Sequence, residues 1–188
     1  MKKLIKLTFF FSFLMLFVAC GDDDLEPTLA QDKDLNTGIN NAGDLASVMN
    51  SAYDRMTPSG YYGRNQIVMG DVRTDNAYSN VNSGRFTDSD MDYSPNGAGP
   101  WGTIYRAIAI CNIVIGADTS GLEGDQGAMT HTQGQAYALR ALLHFDLLQD
   151  YGQHFISGAG GAGALGVPYV KTYKDPANLS PARDTAGS

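Results

Sequence analysis

The chain has 188 residues, 43% of them hydrophobic, which is enough for one ordinary domain with a real core. Its formal charge of -7 at pH 7, with no basic run interleaved with aromatics, repels phosphate backbones and argues against nucleic acid as a partner. The cysteines, Cys20 and Cys111, are too few for a disulfide framework, so stability must come from packing.

The leader MKKLIK is short and basic, residues 7–18 are almost unbroken apolar, and Val18 and Ala19 put modest side chains before Cys20. This is secretory signal architecture over residues 1–19. The apolar run is shorter than the roughly 20 residues that a bilayer-spanning helix needs, so its removal is expected. A cysteine at the cleavage point resembles a bacterial lipoprotein lipobox, in which the Cys20 sulfur takes a diacylglycerol and becomes the acylated N-terminus. Each buried acyl CH₂ contributes about 0.8 kcal/mol, so several chains together hold a protein on a membrane. Gly21-Asp22-Asp23-Asp24 resembles the acidic tag that sends Bacteroidetes lipoproteins to the cell surface, and reads equally as a solvated linker. Residues 20–40 are therefore a lipidated acidic tether, and residues 41–188 the body.

The first predicted helix covers about 42–57, with Leu45, Val48, Met49, Ala52 and Met56 on one face. Residues 57–100 are rich in Gly, Ser, Asn, Asp and Tyr without apolar period; long ordered loops of this kind tend to be functional. Pro100 and Trp101 open a second helix whose stripe is Ile104, Ala107, Ile108, Cys111 and Ile115, ending at Gly116. Cys111 in that stripe reads as a small buried hydrophobe.

A third helix is expected between a capping box at Thr132 and Gln135 and a left-handed Gly152. Its two apolar rows, one of Ala136, Leu139, Leu143 and Leu147, the other of Leu142, Phe145 and Leu148, predict burial between neighbours. Beyond it, GAGGAG lacks the lysine and hydroxyl of a phosphate loop and reads as an irregular loop, leading to a short extended stretch at 167–170.

In this order, PWGTIYRAIAICNIVI, QAYALRALLHFDLLQDYG, ALGVPYV and SPARDT resemble the N-terminal portion of the SusD/RagB family of outer-membrane nutrient-uptake lipoproteins. The matching positions are Trp101, Tyr105, Asn112, Ala138, Leu139, Arg140, Ala141, Phe145, Leu148, Tyr151, Gly152, Gly166, Val167 and Pro168. The resemblance implies an all-α body of stacked, tetratricopeptide-like helix pairs with long irregular loops. It implies a protein that binds a glycan or peptide, catalyses nothing, needs no cofactor, and docks on a SusC-like TonB-dependent transporter at the outer membrane. Members run to several hundred residues, so an N-terminal fragment with an incomplete ligand face is expected. The alternative is a helical-repeat scaffold that organises envelope proteins without binding a nutrient.

Family glycan contacts come partly from the loop before the Trp-Tyr helix, which corresponds here to DNAYSNVNSGRF. That loop is tryptophan-bearing in the archetype and offers Tyr78 here, with Asn76, Asn80 and Asn82 beside it. An aromatic face covers the apolar side of a sugar ring while amides pair with hydroxyls. Tyr61 and Tyr62 are weaker candidates for the same task. Asp71, Arg73 and Asp75 read as turn formers rather than a hydrolytic carboxylate pair. Arg140, central in the most apolar helix, is expected to bridge to Asp71, to Asp75 or to backbone carbonyls. Trp101 and Tyr105 are expected to anchor helix packing, and His131, His144 and His154 lack the spacing of a metal site.

Overall fold

The computed structural model describes residues 38–92, 99–156 and 160–187. The expected signal segment, Cys20 and the expected tether as far as residue 37 lie outside the described residues. Among the described residues are four α-helices: α1 Ala42–Asp54, α2 Asn65–Val72, α3 Trp101–Gly116 and α4 Gln126–Tyr151. Single 3-10 turns stand at Val81–Ser83 and Gly161–Gly163. Extended pairing there is limited to two isolated bridges, Asn41 with Glu123 and Leu165 with Thr185, so the fold is all-α.

α1 and α4 each start where a side chain satisfies free amides, whereas α3 opens after Pro100 with no side-chain cap. Asn41 Oδ1 accepts from the Asp44 amide at 2.9 Å while Asn41 Nδ2 donates to Asp44 Oδ2, which closes the first turn of α1. The expected capping box at Thr132 is not used. α4 begins about two turns earlier at Asp125, whose carboxylate accepts from Gly127 and Ala128 amides, and burial of Met129 makes the extra turns worthwhile. Thr132 is then mid-helix, with its hydroxyl donating to Ala128 O. At the other end Gly152 is extended, φ -73° and ψ 157°, not left-handed. Glycine is needed there for another reason: a Cβ would stand 2.5 Å from Leu148 O. The segment expected to be wholly irregular contains α2, whose apolar residues Ile67, Val68, Met69 and Val72 are too few to announce a period.

α3 and α4 run antiparallel. Gln133 Nε2 meets the carbonyls of Val114, Ile115 and Ala117 at the end of α3, Arg140 meets Asn112, and the Tyr151 ring meets Trp101. α1 packs on both. Leu45, Met49 and Ala52 from α1, Ile104, Ile108, Cys111 and Val114 from α3, and Met129, Leu139, Leu143 and Leu147 from α4 form one buried core. A fully buried Leu, Ile or Met contributes about 1.5–3 kcal/mol by leaving water. Residues Ile39–Ser188 make a single compact unit.

α4 is buried along one row only. Leu139, Leu143 and Leu147 are enclosed, whereas Phe145 is 54% exposed and Leu142 also reaches solvent. The second row faces outward because α1 and α3 both lie on the first, and among the described residues no helix covers the opposite side.

Candidate functional site

The residues that carried the family resemblance converge on the segment 165–171. This stretch is extended but has no sheet to join, so its backbone groups must find side chains. Asn112 Nδ2 donates to Val170 O at 3.1 Å, Arg140 Nη1 to Lys171 O at 3.1 Å, and the Tyr105 hydroxyl to Pro168 O at 2.8 Å. The Val170 amide donates to His144 Nε2, and the Tyr169 amide to Asp184. Arg183 closes the far side by donating to the carbonyls of Gly166 and Tyr151.

Arg140 is 8% exposed, and its guanidinium is shared between Asn112 Oδ1 and the Lys171 carbonyl. Neither Asp71 nor Asp75 is its partner; both are exposed on the loop side. An amide with a carbonyl serves because each oxygen takes one N-H without a second buried charge. His144 accepts from Val170 through Nε2, so the ring proton sits on Nδ1 and donates to Arg140 O. Burial, together with the Arg140 charge, holds its pKa below the ordinary histidine value. Burial pushes the Tyr105 phenol up to about 12 and the Cys111 thiol up to about 11.

A second set of contacts fixes the segment 57–100 to the C-terminal half of α4. The Asp146 carboxylate accepts from the hydroxyls of Tyr61 and Tyr62. One turn on, Asp150 accepts from Arg73 Nη1 at 3.5 Å and from the Gly99 amide at 3.1 Å, and the Tyr151 hydroxyl donates to Gly99 O. Burial holds the Asp150 carboxyl above the usual carboxylate range against the pull of Arg73. Burial and then Asp146 raise both phenols, Tyr62 to about 12. Tyr61 is fully enclosed, so it is no ligand contact.

Tyr78 lies on this anchored segment and is 84% exposed. Asn76, Asn80 and Asn82 are exposed around it. Asn80 Oδ1 is partly occupied, accepting from the Asn82 amide and so capping the 3-10 turn at Val81–Ser83. Trp101 is 38% exposed; it stacks with Tyr105 and Tyr151, ring centroids 4.8 Å away in each case, so one side packs and the rest meets solvent. A separate groove of about 460 Å³ runs beside α4, lined by Phe145, Leu148, Val167, Tyr169 and Asp184 among others. Among the described residues no group of three His, Cys, Asp or Glu side chains is placed to hold a metal, and no helix is long and apolar enough to cross a membrane.

Sequence reasoning missed Asp146, Asp150 and the latch formed by His144. Their signal was present as polar residues set among the leucines of α4, two of them four residues apart.

Comparison with known proteins places this geometry in context. A SusD-like family model, described as "Starch-binding associating with outer membrane", matches residues 26–187. Among solved structures, a SusD superfamily protein from Bacteroides vulgatus is similar, with a TM-score of 0.63 and 26% sequence identity. That similarity covers 79% of this chain and 34% of the other, so the chain spans about a third of its relative's length. No match was found among the curated proteins.

Proposed function

This chain belongs to the SusD-like family, and on that premise we propose that it is part of a surface lipoprotein that binds a starch-like oligosaccharide and hands it to a SusC-like TonB-dependent transporter. The observation that carries the proposal is the family match over residues 26–187, whose description joins starch binding to the outer membrane. Acyl chains on Cys20 hold the protein at the outer membrane, and the acidic tether lets the body reach the transporter mouth.

The sugar-facing element is the exposed segment around Tyr78. Its phenol ring is flat, rigid and unpacked, suited to cover the apolar face of a pyranose. The side-chain amides of Asn76 and Asn82 supply donors and acceptors for ring hydroxyls. Binding leaves the glycosidic bond intact. Asp146 and Asp150 are occupied in structural bonds, and Asp71, expected as a turn former, instead lies in the last turn of α2 while Asp75 sits in the turn that follows, so this reading assigns none of them to acid-base work.

Calorimetric titration with maltoheptaose, followed by chromatography of the sugar, tests the proposal. Saturable binding with the heptasaccharide recovered whole, and at least fivefold weaker binding by Tyr78→Ala, is expected. Absence of binding at millimolar sugar, or appearance of shorter sugars, overturns it. Metabolic labelling with tagged palmitate tests the anchor: label on the wild type and none on Cys20→Ala is expected, and an unlabelled wild type refutes it.

A further inference from the structure

We propose that Asp146 and Asp150 are positioning residues for the Tyr78 segment: set one turn apart on α4, they clamp its start, its middle and its end to a single face of that helix. This inference rests on the reading of Tyr78 as a sugar contact, and adds which residues determine how that contact is presented.

Three features carry it. First, the anchor points are spread along the segment. Asp146 holds Tyr61 and Tyr62 at its start, Asp150 holds Arg73 just after α2, and Asp150 with Tyr151 holds Gly99 before α3. Second, the apolar packing in between is local and separate from the core that α4 shares with α1 and α3. Met69 and Val72 are buried but lie outside the main core, and α2 is not packed extensively on α1, α3 or α4, so the polar contacts are what tie the segment to α4 itself. Third, the middle anchor has little redundancy. Arg73 reaches Asp150 through Nη1 alone, while its buried Nε and Nη2 find no partner among the described residues. A guanidinium that gives up water for one ion pair is set by that ion pair.

The consequence is coupling without contact. Tyr78 is exposed rather than packed on α4, yet its ring can be offered in one orientation only while the segment is fastened on either side of it. Ordering beforehand raises affinity because the segment loses less freedom on meeting the sugar. Asp150→Asn keeps an oxygen for the Gly99 amide but removes the charge that holds Arg73, and Asp146→Asn weakens the acceptor for both tyrosines. Each is conservative in volume.

The test has two arms on the whole chain. In the first, hydrogen exchange of the free protein is followed by mass spectrometry. Asp150→Asn is expected to speed exchange within 65–92 by at least tenfold while peptides of α3 and the first five turns of α4 keep wild-type protection. Unchanged exchange in 65–92, or equal loss of protection throughout, overturns the clamp. In the second arm, maltoheptaose affinity is measured for Asp150→Asn with and without Tyr78→Ala. A five- to tenfold loss is expected where Tyr78 is intact and less than twofold in the Tyr78→Ala background, because positioning matters only when there is a ring to position. Equal losses in the two backgrounds overturn the positioning role. Where the wild type takes up no sugar, the underlying functional reading falls, and the exchange arm alone decides for or against the clamp.

Discussion

Asn112→Ala is the sharpest probe of how the family motif works. Asn112 is buried, accepts from Arg140 Nη1 at 2.8 Å and donates to Val170 O at 3.1 Å, so a single amide joins α3 to α4 and to the extended segment. Truncation removes a charge-assisted bond worth about 1.5–3 kcal/mol and leaves the Val170 carbonyl short of a donor, about 1 kcal/mol more. Arg140 keeps Lys171 O, which limits the loss. The expected destabilisation is about 2.5–4 kcal/mol, equivalent to roughly 5–15 °C in Tm for a body of this size. Urea unfolding followed by circular dichroism at 222 nm reads it directly. A double-mutant cycle with Arg140→Met should give a coupling energy above about 1 kcal/mol, since the two side chains share one bond. A change within about 0.5 kcal/mol for Asn112→Ala, or strict additivity in the cycle, would refute the wiring described here.

Further expectations concern protonation, close approach and reactivity. His144 has a folded pKa below its unfolded value, because burial and Arg140 disfavour the imidazolium. The unfolded chain therefore takes the proton first, so this contribution to stability is complete above about pH 6.5 and declines as pH falls toward the folded value. Urea midpoints measured from pH 7.5 to 5 should fall more steeply for the wild type than for His144→Asn; parallel slopes would count against it. Gly152→Ala places a Cβ 2.5 Å from Leu148 O and should cost about 1–3 kcal/mol in thermal unfolding, whereas a neutral effect would mean the helix end relaxes freely. The Cys111 thiol, enclosed and pushed up to about 11, should resist iodoacetamide in the native chain at pH 8 and react in 8 M urea; rapid native labelling would show the core to be open.

The limits of sequence reading are visible in particular residues. α3 matches its expected extent because Pro100, an apolar stripe and Gly116 are all local signals. α1 begins where expected but ends at Asp54, leaving Met56 half-buried beyond the helix. The start of α4 differs from the expected one because Thr132 and Gln135 form a cap of the right spelling, while the cap at Asp125 is distinguished only by the burial of Met129. Arg140 was legible as a structural cation, since an apolar helix must have a reason to carry one, but Asn112 and Lys171 as its partners were not.

The sequence by itself determined the three long helix-forming segments, though not α2, together with the apolar rows and the ordered set of motifs that resembles the SusD/RagB family, because each depends on spacing along one chain. Only the tertiary structure decided which row of α4 is enclosed, that Asp146 reaches Tyr61 across 85 positions, and that Asn112, Arg140 and His144 all serve one extended segment. The physical reason is that periodicity describes the face of a single helix, whereas the partner of a buried polar group is fixed by which other backbone group is left unsatisfied nearby in space.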